Sequence, residues 1–173
     1  MLMIRNLLVY LLMLGIGISA CKKKPSPEPS PTVPPSSTFS QIQRRILTPT
    51  CATAGCHASP QDPGYATHQL VLAAGQAYKN LFNVAPVNAL AISDGLLRVK
   101  PYKSLESLFY HKLNFDASHH GGKFYGSPMP LGGSPLSVGQ IDFVRRWIEA
   151  GAPETGIVAD STLLDDKTPS PGG

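Results

Sequence analysis

The chain has 173 residues, with 15 Lys+Arg against 11 Asp+Glu, a net charge of +4 and three cysteines. That length holds one folded domain of ordinary size with flanking segments. The basic residues are scattered rather than gathered into a patch, and the chain opens on an export-like segment, which together exclude nucleic acid as a partner.

The opening stretch, MLMIRNLLVYLLMLGIGISAC, sets one arginine ahead of an apolar run from Leu7 to Ile18. Roughly a dozen apolar residues fall short of the about 20 that a membrane-crossing helix needs, and they match the core of a secretion signal. Ile18-Ser19-Ala20-Cys21 has the form of a bacterial lipobox, with an uncleaved signal anchor as the alternative reading. Residues 1–20 are therefore expected to be a lipoprotein signal peptide. Cys21 is expected to be acylated and to hold the mature chain to a membrane without a transmembrane helix. Lys22 in the following position, rather than an acidic residue, favours the outer membrane, facing the periplasm or the exterior. Residues 21–37 then read as a lipid-anchored linker: alternating proline and serine build no core and favour an extended spacer.

Residues 38–153 carry the folded domain. Thr38 followed by Gln41 forms a capping-box pattern, and Phe39, Ile42 and Ile46 recur at helical spacing, predicting a helix over 39–47 that Pro49 closes. AAGQAYKNLF and SLESLFYHKL read as two further short helices, the second capped by Ser104. LLRVK is a short extended piece at most. The last helix is the clearest: Ser137 caps it with Gln140 at the third position, Ile141, Val144 and Ile148 form its apolar stripe, and Gly151 and Pro153 end it. Residues 154–173 are polar, acidic and close on Pro and Gly, and read as a disordered tail. The fold class is thus mostly α, about four short helices joined by long Gly/Pro-rich loops. So few helices leave little apolar surface for a domain this size, and a buried non-protein group would supply the missing core.

TPTCATAGCHASP, residues 48–60, holds Cys51, Cys56 and His57. A c-type haem is bound by two cysteine thioethers, with the histidine after the second cysteine as an axial iron ligand. The spacing here is Cys-x4-Cys-His instead of the usual Cys-x2-Cys-His, so two extra residues must bulge outward; Ala52, Ala54 and Gly55 are small enough to permit it. Two other readings stand beside it: a Cys51–Cys56 disulfide, which closes a small loop and stabilises little, and a zinc site completed by distant histidines. Further along, GSPMPLGGSPLS offers Met129 between two prolines. A thioether on a proline-stiffened loop suits a second axial ligand, although most methionines simply fill core gaps. His111, His119 and His120 are competing ligands, and His68 reads as exposed and unassigned.

The succession FSQIQRRILTPTCATAGCHASP, AYKNLFNV, RVKP, SLESLFYHKL, SPMPLGG and IDFVRRWIEAGAP resembles small monohaem c-type cytochromes, of the planctomycete-type cytochrome c domains and related envelope lipoproteins. The resemblance spans about residues 39–153, and the x4 spacing is its departure from the common pattern. It implies a cytochrome c-like fold wrapped around one covalent haem c, with Cys51 and Cys56 as the thioether attachments, His57 as proximal and Met129 as distal iron ligand. It also implies that the first and last helices cross beside the haem, bringing Phe39, Ile42 and Ile46 against Ile141, Val144 and Ile148, with Trp147 filling space. Arg98 then has two readings, a haem-propionate partner or a solvated surface arginine.

The function this implies is one-electron transfer between redox protein partners in the envelope, without catalysis. The alternatives are a haem enzyme or sensor with a displaceable distal ligand, and a haem-free interaction lipoprotein stapled by a Cys51–Cys56 disulfide.

Overall fold

The computed structural model describes residues 36–171. The signal peptide, Cys21 and nearly all of the linker lie outside those residues. The described part is mostly helical: six α-helices and several short 3-10 turns, with isolated β-bridges in place of strands. Among the described residues no helix is long and apolar enough to cross a membrane.

Helix α1 (Thr38–Ile42) starts one residue earlier than the capping-box pattern suggests. Ser37 is the cap, its hydroxyl accepting from the Ser40 amide at 3.1 Å. Thr38 is instead fully buried, and its hydroxyl accepts from the amides of Val158 and Ala159, so it is spent on the far end of the chain. Pro49 does not close the helix. From Gln43 to Cys51 the chain widens into a π-helix, ending in an Ala52 amide donated to Leu47 O at 2.7 Å. A wide turn spaces the bonds i to i+5, so the proline's missing N–H is accommodated, and the Thr50 hydroxyl takes up the Ile46 carbonyl at 2.5 Å. The consequence is that the helix delivers Cys51 directly at its end.

α2 (Tyr65–His68), α3 (Ala77–Leu81) and α4 (Ala89–Ser93) are single turns; α2 and α4 have no periodic signature long enough to read. The segment around Arg98 is extended, with single bridges from Phe82 to Val99 and from Leu97 to Ser107. Ser104 opens a 3-10 turn, and α5 (Leu108–Leu113) follows from Ser107. α6 (Val138–Glu149) forms as its sequence specifies, with the Ser137–Gln140 box closed in both directions and Gly151 at φ +96 beyond its end.

One apolar cluster joins these elements. Ile42, Ile46 and Leu47 from the first helix meet Phe143, Val144, Trp147 and Ile148 of α6, all fully buried. The Phe39 and Trp147 rings lie 5.4 Å apart, and Trp147 Nε1 donates to Pro153 O at 2.9 Å.

The closing segment corrects the expectation of a disordered tail: residues 154–171 are folded against α6. A 3-10 turn (Ser161–Asp165) buries Leu164, and its acidic residues have specific partners. Asp160 caps Thr162, Asp165 pairs with Arg45 at 2.6 Å, and Asp166 accepts the Gly139 amide at 2.7 Å. A Cβ at Gly139 would lie 2.2 Å from Leu163 O, so glycine is what lets the segment lie this close. Composition marked these residues as solvated because it counts charges without seeing the amides and the guanidinium they bind. Leu164→Ala is expected to destabilise the domain by about 2–5 kcal/mol in urea unfolding, the usual cost of truncating a buried leucine, whereas a disordered tail would leave the midpoint unmoved.

Candidate functional site

The end of the π-helix, the loop after it, α5 and the Met129 loop enclose one cavity of about 400 Å³, within the range of roughly 300–1,000 Å³ typical of cofactor sites. Its wall includes Cys51, Cys56, His57, Arg98 and Met129, residues separated by up to 78 positions (129 − 51). Leucines 70, 72, 81 and 113 and Phe109 make most of the rest of it apolar. The five candidate site residues therefore line one cavity.

The Cys51–His57 loop is held from within. Cys56 donates its amide to Thr53 O and His57 to Cys51 O, closing the bulge that the two extra residues create, and Gly55 sits in it at φ +85. Cys51 is buried and Cys56 exposed, and both are free thiols. Burial pushes the Cys51 thiol pKa up, opposed by its contact with the Thr50 hydroxyl at 3.3 Å. Asp62 clamps the loop from its far side, accepting the amides of Gly55 at 2.8 Å and Ser59 at 2.7 Å. Those two bonds, that of Gly55 first, hold its carboxyl below the ordinary value of 3.8.

His57 is fixed at both ends. Its Nδ1–H donates to Leu70 O at 3.2 Å, and its own carbonyl accepts the Leu72 amide at 2.8 Å. A carbonyl partner requires the proton on Nδ1, so in the neutral ring the lone pair is on Nε2, the tautomer a metal-ligating imidazole needs. His68, exposed as expected, stands at the cavity rim with its ring 5.9 Å from that of His57. Partial burial, then His57 and Lys112, lower its pKa from 6.5.

Met129 is half-buried on the loop between α5 and α6, its amide donating to Lys112 O at 2.7 Å. The Lys112 ammonium reaches the same loop, donating to Ser127 O and to Tyr125 O at 3.3 Å. The competing histidines lie elsewhere. His111 is buried with Nε2 donating to Leu105 O at 2.8 Å, His120 donates to Asn114 O at 2.9 Å, and His119 faces Tyr110 and Asp116; none of the three lines the cavity. Among the described residues no three His, Cys, Asp or Glu side chains gather as a metal-ligating cluster.

Arg98 is not a solvated surface residue. It is 8% exposed, with its guanidinium on the carbonyls of Asn80, His68 and Gln69. Sequence reasoning missed Asp62, Leu70 and Lys112. Leu70 acts through its backbone carbonyl and Lys112 through its carbonyl and a lone ammonium that no side-chain pattern marks; an Asp near a glycine-bearing loop was the one available signal for Asp62.

Compared with known proteins, the chain matches no family model, no curated protein and no solved structure.

The depressed Asp62 pKa fixes the sign of a pH effect. The clamp is intact above the ordinary carboxylate value of 3.8 and is released as pH falls through the lower folded value. The Gly55 and Ser59 amide resonances should titrate with a midpoint below 3.8, and Asp62→Asn should abolish that titration.

Proposed function

We propose that the protein is a monohaem c-type cytochrome, lipid-anchored in the cell envelope through Cys21, that carries single electrons between redox protein partners. The observation that supports this most is the meeting of Cys51, Cys56, His57 and Met129 in the lining of one largely apolar cavity, with the His57 Nδ1 proton donated to Leu70 O. In this reading the fold is cytochrome c-like, Cys51 and Cys56 hold a covalent haem c, and His57 and Met129 are its axial ligands. The haem supplies a one-electron couple in an apolar setting, and His/Met ligation raises its potential above that of a His/His centre.

The chain's own residues do the rest. The Leu70 carbonyl sets the His57 tautomer, the Lys112 carbonyl and ammonium seat the Met129 loop, and leucines 70, 72, 81 and 113 give the cavity an apolar lining. With both axial positions taken by protein there is no vacant site for a substrate, which favours electron transfer over catalysis. Acyl anchoring and a Pro/Ser spacer suit a carrier that meets its partners within a tether's reach, through small transient interfaces.

The test is an alkaline pyridine spectrum of the exported protein made with a haem-maturation system. A c-type haemochrome that survives acid–acetone extraction and disappears in Cys51→Ala/Cys56→Ala is expected; a colourless chain beside a maturing control cytochrome would overturn the proposal. Met129→His is expected to remove the near-infrared sulfur-to-iron band and to lower the midpoint potential. An unchanged band would place the distal ligand elsewhere.

A further inference from the structure

Arg98 is buried yet has no carboxylate partner among the ion pairs of the described residues. Its guanidinium is engaged with the backbone: Nη1 donates to Asn80 O at 2.9 Å, and Nη2 to His68 O at 3.2 Å and Gln69 O at 2.9 Å. A buried guanidinium is costly unless its donors are satisfied, so the site is built around these carbonyls. The residue itself cannot drift. Its amide donates to Val84 O at 2.7 Å, and its carbonyl accepts the Phe109 amide at 2.9 Å.

The carbonyls of His68 and Gln69 belong to the turn that ends α2, where Gln69 takes φ 45 in the left-handed region. A non-glycine residue rests there only when its surroundings hold it. The next residue is Leu70, whose carbonyl receives the His57 Nδ1 proton, and two further on is Leu72, whose amide returns to His57 O. Asn80 secures the same stretch, its Nδ2 donating to Val71 O at 2.9 Å while its own carbonyl binds Arg98. Residues 68–72 thus form a strap that grips His57 by ring and backbone, and Arg98 grips the strap.

We infer that Arg98 is a positioning residue for His57, acting through the carbonyls of His68 and Gln69 to hold the Leu70 carbonyl on Nδ1 and so to fix the ring's orientation and tautomer. The purpose of that fixation rests on the haem reading; the hydrogen-bond chain does not. It differs from both sequence-based readings of this residue, since neither a solvated arginine nor one engaged solely with a propionate would govern the proximal imidazole.

The decisive comparison is hydrogen exchange at two side-chain protons of the full-length, matured protein: His57 Nδ1–H and Trp147 Nε1–H. Trp147 is fully buried, and its indole proton, bound to Pro153 O, reports opening of the core. Arg98→Lys keeps the charge but replaces a planar fork with one nitrogen that cannot span Asn80 and residues 68–69. The expected result is about tenfold faster exchange or more at His57, the scale of losing one charge-assisted hydrogen bond, with Trp147 unchanged. Equal acceleration at both protons would make Arg98 a stability residue only, and no change at either would leave His57 independent of it; each outcome overturns the inference. Should the variant not fold, the unmodified protein still decides: the inference requires the Arg98 Nη protons and the His57 Nδ1 proton to share one urea dependence that is shallower than that of Trp147 Nε1–H, and different dependences at Arg98 and His57, or one common to all three, overturn it. If the exported chain carries no haem, the haem reading fails separately, and the ring-nitrogen shifts of His57 still report whether Arg98→Lys moves its tautomer.

Discussion

Everything in this domain is oriented by the packing of its first helix on its last. Trp147 is fully buried, in tilted ring contact with Phe39 and tied through its indole to Pro153 O, and it shares one apolar cluster with Ile42, Ile46 and Leu47. With α1 pinned in this way, the π-helix that follows has one direction in which to run, and it ends at Cys51. Widening the helix keeps backbone bonds through Pro49 and carries the buried thiol to the cavity wall without an intervening loop. The site therefore inherits its geometry from a core on which none of its candidate ligands is carried except Cys51.

The cavity is the complement of that arrangement. Short single-turn helices and long glycine-bearing loops do not close over themselves, and the space they leave is bordered by leucines contributed from α3, α5 and the 68–72 strap. Two devices keep the loops from collapsing into it. Asp62 stiffens the Cys51–His57 loop from the solvent side, and Lys112 holds the Met129 loop by its ammonium and its carbonyl together. Both replace apolar packing with bonds to backbone groups, a means of ordering loops that does not depend on filling the interior.

How much of this the sequence carried depended on how local each signal was. α6 was legible to its caps because the Ser137–Gln140 box and Gly151 are complete within the segment itself. The first helix was legible in its apolar face but not in its end, since the rule for the residue before proline assumes α geometry and the chain runs through Pro49 as a π-helix. The closing segment was misread because Asp160, Asp165 and Asp166 were counted as charges, whereas each has a donor on a particular residue and Leu164 has a place in the core. In the site, Cys51, Cys56, His57 and Met129 were visible as residue types with a chemistry. Their supports were not, because Leu70 and, in part, Lys112 contribute carbonyl groups that every residue possesses, and the Arg98 guanidinium binds carbonyls at the end of α2 and in α3, far from it in sequence.

The clasp at the entrance to the fold has a mechanical side. Ser37 donates its hydroxyl to Glu154 O at 2.9 Å, the Thr38 amide donates to Gly156 O at 2.9 Å, and the Thr38 hydroxyl takes up two further amides from the same stretch. A pull arriving along the backbone at residue 36 meets these bonds before it reaches the first turn of α1. Tension is thereby shared with the closing segment and, through Leu164 and Asp166, with α6. Unravelling from this end must break several cross-links together instead of peeling a helix one turn at a time.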